Sequence, residues 1–356
     1  MTFEEARGQF PVLDRVAYLQ AGSVGPLSRA TVAAMHSEEE RNLQHGRAGV
    51  EYIERILALR AELRARLAEL VAVDPDQVTL TSSTTDGCNI VLAGLDLGTD
   101  DEIVTTTDEH FGLLGPLHTS GARVVVVAPD PDGIVAAVTP RTRLIAVSHV
   151  LWTTGQVLPV HDLKRRTGLP ILVDGAQSVG AILVDAEGLD FYTISGQKWL
   201  CGPEATGALV VASAEGLEVA RPSYFSQQEY APDGAFVPWP GARRFDPMWV
   251  PSALMSGLLS ALELSPEWRF ERAAQMAERC RELLLDAGAD VLVPAERATL
   301  VSWRAGDEAS DEMVARLAAA DVVVRDLPGT GLVRASVGWW TSDEDLERLL
   351  AALQAR

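Results

Sequence analysis

Short apolar runs alternate with longer amphipathic or polar stretches between residues 78 and 212. Each run is rich in β-branched residues and is nearly continuous in its apolar character, which is typical of strands covered on both faces. The alternation predicts an α/β fold with a mostly parallel central sheet and helices on both faces. The predicted strands cover residues 78–80, 103–106, 123–127, 144–147, 171–173, 191–194 and 208–211.

A long amphipathic helix is predicted over residues 51–71. Its apolar positions recur with helical spacing and predict a face that packs on the core. These positions are Ile53, Ile56, Leu57, Leu63, Leu67 and Leu70.

The last third of the chain has a different pattern. A helix begins near residue 252, and strands are predicted at 291–293, 300–303, 322–324 and 333–336. The last helix carries a capping-box pattern at Thr341 and Glu344. These elements predict a smaller α+β domain over residues 252–356. A large domain would then span residues 21–251, and residues 1–20 would join the small domain.

The segment 221–251 contains six prolines and two glycines and is interpreted as an ordered linker or active-site loop.

Composition and charge narrow the choice of partners. The chain has 356 residues, is 47% hydrophobic and has a formal net charge of -20, which argues against nucleic acid and anionic membranes as partners. The sequence has no run of about 18 apolar residues and no leader-like start, so we expect no membrane span and no secretion. Three scattered cysteines fit neither a disulfide framework nor a zinc site, and we expect no metal and a cytoplasmic location.

Candidate chemistry begins with Lys198 in the segment 195–199, Ser-Gly-Gln-Lys-Trp. Asp174 and Gln177 follow the preceding predicted strand. A lysine can form a Schiff base with the aldehyde of pyridoxal 5'-phosphate, while an aspartate keeps the pyridine nitrogen protonated and a glutamine bonds the phenolic oxygen. A lone lysine in such a loop is usually a solvated charge, so this interpretation depends on further motifs.

Four further segments add to the set, and each also has an ordinary structural explanation. Small hydroxyl residues at 81–85 open a helix and suit a phosphate, or serve only as helix caps. His110 follows a strand and can stack on a flat ring, or be a simple loop histidine. Arg334 alternates with apolar residues in a strand and suits a carboxylate, or water at a sheet edge. The turn at 21–26 allows close backbone approach, or is a plain turn.

Together these segments resemble the class V branch of fold-type I pyridoxal-phosphate enzymes, which includes cysteine desulfurases, cystine C–S lyases and isopenicillin N epimerase-like proteins. The resemblance covers nearly the whole chain. Its motifs lie at 21–26, 83–89, 109–110, 148–150, 173–177, 195–203, 243–245 and 334–336.

The resemblance implies a role for each matching residue. Lys198, Asp174 and His110 would act in catalysis as the Schiff-base lysine, the nitrogen partner and the stacking ring, with Gln177 on the phenolic oxygen. Thr84, Thr85, Ser195 and Gln197 would hold the phosphate. Gly22, Ser23, Trp152 and Arg334 would bind the amino-acid substrate, with Arg334 on its carboxylate. The family is dimeric, so a homodimer is expected in which the partner subunit completes each site.

Several positions depart from the family pattern. Gln197 stands where a histidine is common, Val250 lacks the hydroxyl that reaches the partner's phosphate, and Trp152 puts an apolar wall where desulfurases often carry an asparagine. Persulfide-forming desulfurases also need a mobile cysteine before the C-terminal arginine, and residues 321–333 contain none.

The sequence therefore predicts an enzyme that acts at the α-carbon of an amino acid, with Lys198 as general base. Cysteine-independent β-elimination of the C–S lyase type is the first expectation. Transamination and epimerisation remain open alternatives. A non-catalytic relative that keeps only the fold is a remote one.

Overall fold

The computed structural model describes residues 1–355. Its helices are α1 (Phe3–Arg7), α2 (Arg29–His45), α3 (Gly49–Leu70), α4 (Thr84–Gly94), α5 (Phe111–Thr119), α6 (Pro131–Ala136), α7 (Val160–Thr167), α8 (Ser252–Leu264), α9 (Arg269–Asp286), α10 (Ser310–Ala319) and α11 (Asp343–Gln354). Its strands are β1 (Ala17–Tyr18), β2 (Val78–Thr81), β3 (Glu102–Thr106), β4 (Arg123–Val127), β5 (Thr142–Ser148), β6 (Ile171–Asp174), β7 (Phe191–Ser195), β8 (Gly207–Val211), β9 (Gln227–Tyr230), β10 (Phe236–Pro238), β11 (Leu300–Arg304), β12 (Val322–Val323), β13 (Arg325–Leu327) and β14 (Leu332–Ser336).

A seven-stranded sheet forms the centre of the molecule, with the strand order β2-β8-β7-β6-β5-β3-β4. β8 runs antiparallel to both of its neighbours, and the other pairings are parallel. All seven predicted strands are present, each within one or two residues of its predicted limits. The predicted fold, a mostly parallel sheet, is confirmed.

Helices cover both faces of this sheet because alternate residues along each strand point to opposite sides. On β5, Ile145 and Val147 pack in one core with helices α3, α7 and α8. Leu144 and Ala146 pack in a second core with helices α4 and α5. The near-continuous apolar strand sequences follow from this burial on both sides.

A second, smaller sheet has the order β11-β14-β13 and is antiparallel. Helices α9, α10 and α11 pack on it in a separate core, which also holds Ala17 and Leu19 from the start of the chain. β1 pairs in parallel with β12. Helix α8 contributes Met255 and Leu258 to the core of the large sheet. The predicted domain boundaries after residues 20 and 251 stay a prediction.

The amphipathic helix α3 spans Gly49–Leu70, but its predicted apolar face is partly wrong. Ile56, Leu63 and Leu67 are buried, whereas Ile53 and Leu57 are more than a third exposed. Leu59, which the prediction left out, is buried instead. The apolar side chains of this helix span a wider arc than the rest of the chain covers, so periodicity alone did not show which part faces the core.

Three further predictions need correction. Residues 291–293 form no strand and contribute only an isolated bridge between Val291 and Trp303. The last helix begins one residue later than predicted, with Ser342 as its cap and Asp345 as the reciprocal acid. The segment 221–251 is not plain loop, because it contains the hairpin β9–β10 and a 3-10 helix at Gly241–Phe245. Among residues 1–355, no helix is long and apolar enough to cross a membrane.

Candidate active site

The site lies where parallel strands end at the same edge of the large sheet. His110 follows β3, Asp174 is the last residue of β6, and Lys198 comes three residues after the end of β7. β2 ends at Thr81 and leads into α4, which begins with Thr84 and Thr85. The topology thus brings these predicted residues to one edge, although they are far apart in sequence.

Lys198 lies in the turn after β7, where Gly25 N donates to Gln197 O at 2.7 Å. Any Cβ on Gly25 would come within 2.1 Å of Lys198 O, so glycine is required for this close approach. Burial lowers the pKa of Lys198 to about 8, with Asp174 opposing the shift and Arg334 and Arg325 adding to it. About a tenth of the amine is therefore neutral at pH 7. The only other lysine of the chain is Lys164, which pairs with Asp190 at 2.7 Å.

Asp174 is 3% exposed, and only one of its two carboxylate oxygens accepts the hydrogen bonds described here. Oδ1 accepts hydrogen bonds from Ala176 N at 2.9 Å and from Thr193 Oγ1 at 3.2 Å. These two bonds do not use Oδ2, so the group can bind a further donor such as a protonated ring nitrogen.

Gln177, Gly22 and Arg334 meet on one side of the site. Gln177 Nε2 donates to Gly22 O at 2.8 Å, and Trp199 Nε1 donates to Gln177 Oε1 at 3.1 Å. A Cβ on Gly22 would lie 2.8 Å from Arg334 Nη2, 2.8 Å from Ser336 Oγ and 2.9 Å from Gln177 Oε1. Gly22 therefore lets three segments of the chain converge.

His110 caps helix α5, and its Nδ1 accepts a hydrogen bond from Gly112 N at 3.0 Å. Because Nδ1 is the acceptor, a neutral ring carries its proton on Nε2. The ring meets Trp152 edge-on, with centroids 5.2 Å apart. The pKa of His110 lies below its usual value because part of the ring is shielded from water and Lys198 is positively charged nearby.

The hydroxyl residues proposed for a phosphate lie at the amino end of α4. Ser83 caps this helix by accepting from Asp86 N, and Thr84 and Thr85 occupy its first turn. Their backbone N–H groups and the helix dipole favour an anion. Ser195 Oγ donates to Gln197 Oε1 at 3.0 Å.

Arg334 is 1% exposed, and Nη1 donates to Trp152 O at 2.7 Å. Among the described residues, its Nε has no hydrogen-bond partner. Burial and the nearby Arg325 lower the pKa of Arg334 to about 9. A buried cation with an unpaired donor is costly, and a carboxylate ligand would satisfy it.

Arg325 lies beside the candidate site residues and was not predicted from the sequence. It pairs in register with Arg334 across β13 and β14, and its Nη1 donates to Ser23 Oγ at 2.9 Å. Its charge acts on Lys198 and His110. The only signal was a second arginine beside an apolar run, which is common at sheet edges.

All three cysteines are buried free thiols. Burial raises the pKa of Cys201 and Cys88 well above the usual value and that of Cys280 to about 12. Thiols of this kind are poor nucleophiles, because the reactive form is the thiolate.

A family model for aminotransferase class V matches residues 17–240, which is more than half of the chain. The chain belongs to the aminotransferase class V family. Members use pyridoxal phosphate, and the chain is a pyridoxal-phosphate-dependent enzyme of that family.

The relatives of this class V enzyme are named for different reactions. It is 29% identical over 396 residues to isopenicillin N epimerase of Streptomyces clavuligerus, covering 99% of this chain and 98% of the relative. It is 33% identical over 224 residues to a probable cysteine desulfurase of Methanothermobacter thermautotrophicus, covering 59% of this chain and 56% of the relative.

Two solved structures are similar over almost the whole fold. One is a lysine-to-alanine mutant of C-DES with glycine covalently linked to its pyridoxal phosphate, with a TM-score of 0.91, 29% identity and 98% of both chains covered. The other is the cystine C–S lyase C-DES with its product cysteine persulfide, with a TM-score of 0.90, 29% identity and coverage of 97% of this chain and 99% of that one.

Proposed function

We propose that this enzyme cleaves a C–S bond of a cysteine-derived amino acid by β-elimination, without using a cysteine of its own. The observation that carries the proposal is that all three thiols are buried with raised pKa values, while the site itself holds a lysine and two arginines. A reaction that passes sulfur to the enzyme would need an accessible thiolate. Elimination needs only a base and a bound substrate.

The residues present fit pyridoxal phosphate. Asp174 has an oxygen to pair with the ring nitrogen, and His110 can lie over the ring. Gln177 is proposed for the phenolic oxygen. The phosphate ligands would be Thr84, Thr85, Ser195 and Gln197. When bound, the cofactor draws electrons away from the α-carbon of an attached amino acid.

Lys198 is proposed to hold the cofactor in the resting enzyme and then to remove the α-proton. Its pKa near 8 suits both tasks, because a neutral amine is needed as nucleophile and as base. Asp174 opposes a further fall of this pKa.

Arg334 is proposed to bind the substrate carboxylate, with Gly22, Ser23 and Trp152 forming the rest of the pocket. Arg325 adds a second guanidinium on the same side. Two arginines suit a substrate with two carboxylates, such as a disulfide-linked amino acid. The name of the similar cystine C–S lyase supports the same substrate class.

Epimerisation is the second candidate, because the relative named isopenicillin N epimerase matches 99% of this chain. Both reactions begin with removal of the α-proton, and transamination shares that step. They differ in the later steps: elimination expels a β-thiol compound, epimerisation returns a proton to the opposite face of the α-carbon, and transamination passes the amino group to a keto acid.

The test is to incubate the purified enzyme with cystine, S-substituted cysteines and amino acids without sulfur. Formation of a keto acid, ammonia and a thiol or persulfide is expected, at a rate that is unchanged in Cys201→Ser and Cys280→Ser. Inversion at the α-carbon in deuterium oxide without keto acid would favour epimerisation. Amino transfer to an added keto acid would favour transamination.

Two further expectations belong to this proposal. The segment 221–251 exposes the apolar side chains of Tyr224, Tyr230, Phe236, Val237, Met248 and Trp249. A second copy of the chain is the proposed occupant of this surface, which gives a homodimer.

The free thiols are compatible with a reducing, cytoplasmic location.

A further inference from the structure

Glu109 is a buried acid beside the site to which the proposed chemistry assigns no role. It is 4% exposed and lies three residues after the end of β3, immediately before His110 in the chain. Thr106 Oγ1 donates to Glu109 Oε1 at 2.8 Å. Ser148 N donates to both carboxyl oxygens at 3.1 and 3.0 Å, and Ser148 Oγ lies 2.5 Å from Oε2. One carboxyl group therefore joins the ends of β3 and β5.

Two proposed cofactor contacts lie next to these ends: His110 follows β3, and Asp174 ends β6, the neighbour of β5. Ser148 pairs in register with Asp174, and His149 N donates to Asp174 O at 3.1 Å. His110 is the next residue after Glu109 in the chain. Through Ser148, the carboxyl of Glu109 thus connects the segment of His110, proposed to cover the cofactor ring, to the strand of Asp174, proposed to pair with its nitrogen.

We propose that Glu109 is a positioning residue that fixes the spacing between His110 and Asp174. The inference rests on the proposed cofactor roles of those two residues. Glu109 itself does not act on the cofactor, because all its hydrogen bonds go to Thr106 and Ser148. It holds a ring and a carboxylate at a set separation, and small errors of position at such sites reduce binding and rate strongly.

A purely structural acid would behave differently, and the chain contains one for comparison. Glu102 lies at the other end of β3 and is 2% exposed. It accepts from Thr139 Oγ1 and Arg141 Nη2, each at 2.6 Å. It ties the same strand to its neighbours at the edge remote from the site.

The experiment compares Glu109→Ala, Glu109→Gln and Glu102→Ala as holoenzymes. The readouts are the visible circular dichroism of the bound cofactor and the cofactor dissociation constant. Glu109→Ala is expected to lose most of the dichroism and to bind cofactor about tenfold more weakly. Glu109→Gln should stay within about threefold of wild type, because its amide oxygen still accepts from Thr106 Oγ1 and Ser148 N while its amide nitrogen donates to Ser148 Oγ. Glu102→Ala should lose thermal stability and keep the dichroism.

Normal dichroism and affinity in Glu109→Ala would overturn the proposal, as would equal losses in Glu102→Ala. Because loss of a buried carboxyl can prevent folding, Ser148→Ala is the second variant. It keeps the backbone donor, so partial loss of dichroism is expected, and an unchanged spectrum would count against the role. A wild-type enzyme that binds no pyridoxal phosphate would instead overturn the proposed function.

Discussion

At the scale of single residues, the chemistry of this enzyme depends on how burial and neighbouring charge change ordinary side chains. Lys198 is half-buried between one acid and two arginines, which lowers its pKa to about 8. Arg334 has its pKa lowered to about 9 in the same region, and burial raises that of Glu109 to about 7. The charged form of each group is disfavoured because water has been removed.

The lysine should respond to its neighbours in opposite directions. Arg325→Ala removes a positive charge and should raise the pKa of Lys198, whereas Asp174→Asn removes the opposing negative charge and should lower it. The measurement is the pH dependence of amine labelling in the cofactor-free protein, followed by mass spectrometry. Lys164 is the internal control, since only two lysines are present. Equal pKa values in both variants would contradict this account.

Glu109 should make stability depend on pH. Its pKa is raised from 4.5 to about 7 in the folded protein, so its favourable contribution is complete below pH 4.5 and lost as pH rises through 7. Relative to Glu109→Gln, the cofactor-free wild type should lose about 3 kcal/mol between pH 4.5 and 8. This is most of the total of about 3.5 kcal/mol, because the two pKa values differ by about 2.5 and each unit contributes about 1.4 kcal/mol. Chemical unfolding at both pH values tests this, and parallel pH profiles of the two proteins would disprove it.

Gly22→Ala should damage the site because its methyl group would lie within 3 Å of three polar atoms of other segments. Overpacking of this kind costs about 1–3 kcal/mol, and the displaced Arg334 should raise KM for the substrate. Gly98→Ala is the matched control, since its Cβ would meet only Asp101 Oδ2, at 3.8 Å. Steady-state kinetics and thermal unfolding decide the matter; a Gly22→Ala enzyme with wild-type KM would refute the assignment.

At the scale of elements, one buried acid ties the 221–251 segment to the large sheet. Asp246 Oδ2 pairs with Arg64 at 2.6 Å and Arg60 at 3.3 Å, and Oδ1 accepts from Thr79 Oγ1 at 2.9 Å. Arg60 Nη2 also donates to the carbonyls of Pro247 and Met248. Helix α3 thereby determines where the loop after the 3-10 helix runs.

Asp246→Ala should therefore be far more harmful than a surface substitution. It leaves two largely buried guanidinium groups without their carboxylate, which costs about 3–5 kcal/mol when one partner of a buried pair is removed. Asp132→Ala removes an exposed ion pair with Arg166 and should cost less than about 1 kcal/mol. Equal losses in chemical unfolding would show that the buried network contributes little.

At the scale of the whole molecule, the exposed apolar side chains of residues 224–249 are unusual in a chain with net charge -20. Contact with a second copy of the chain would remove these apolar side chains from water. The two copies would also repel each other, because each has a net charge of -20. Salt should therefore tighten the association.

Met248→Glu should weaken the proposed dimer, because Met248 is 46% exposed within this surface. Leu183→Glu, at a 77% exposed position outside it, is the control. Analytical ultracentrifugation at low and high salt should show dissociation only for Met248→Glu, together with a loss of activity. A fully active wild-type monomer would remove the reason for expecting a shared site.

The central sheet and the pyridoxal-phosphate cofactor of this enzyme could be predicted from the sequence alone. Strands buried on both faces leave continuous apolar runs, and the polar residues that end them, such as Asp174, stand out locally. The tertiary structure alone decided that Arg325 lies beside Arg334 and that Ile53 is exposed. It also decided that Glu109 joins β3 to β5 through Ser148, 39 residues away. These contacts depend on which distant segments meet, because the burial and pairing of a polar side chain are properties of its neighbours in space and not of its neighbours in the chain.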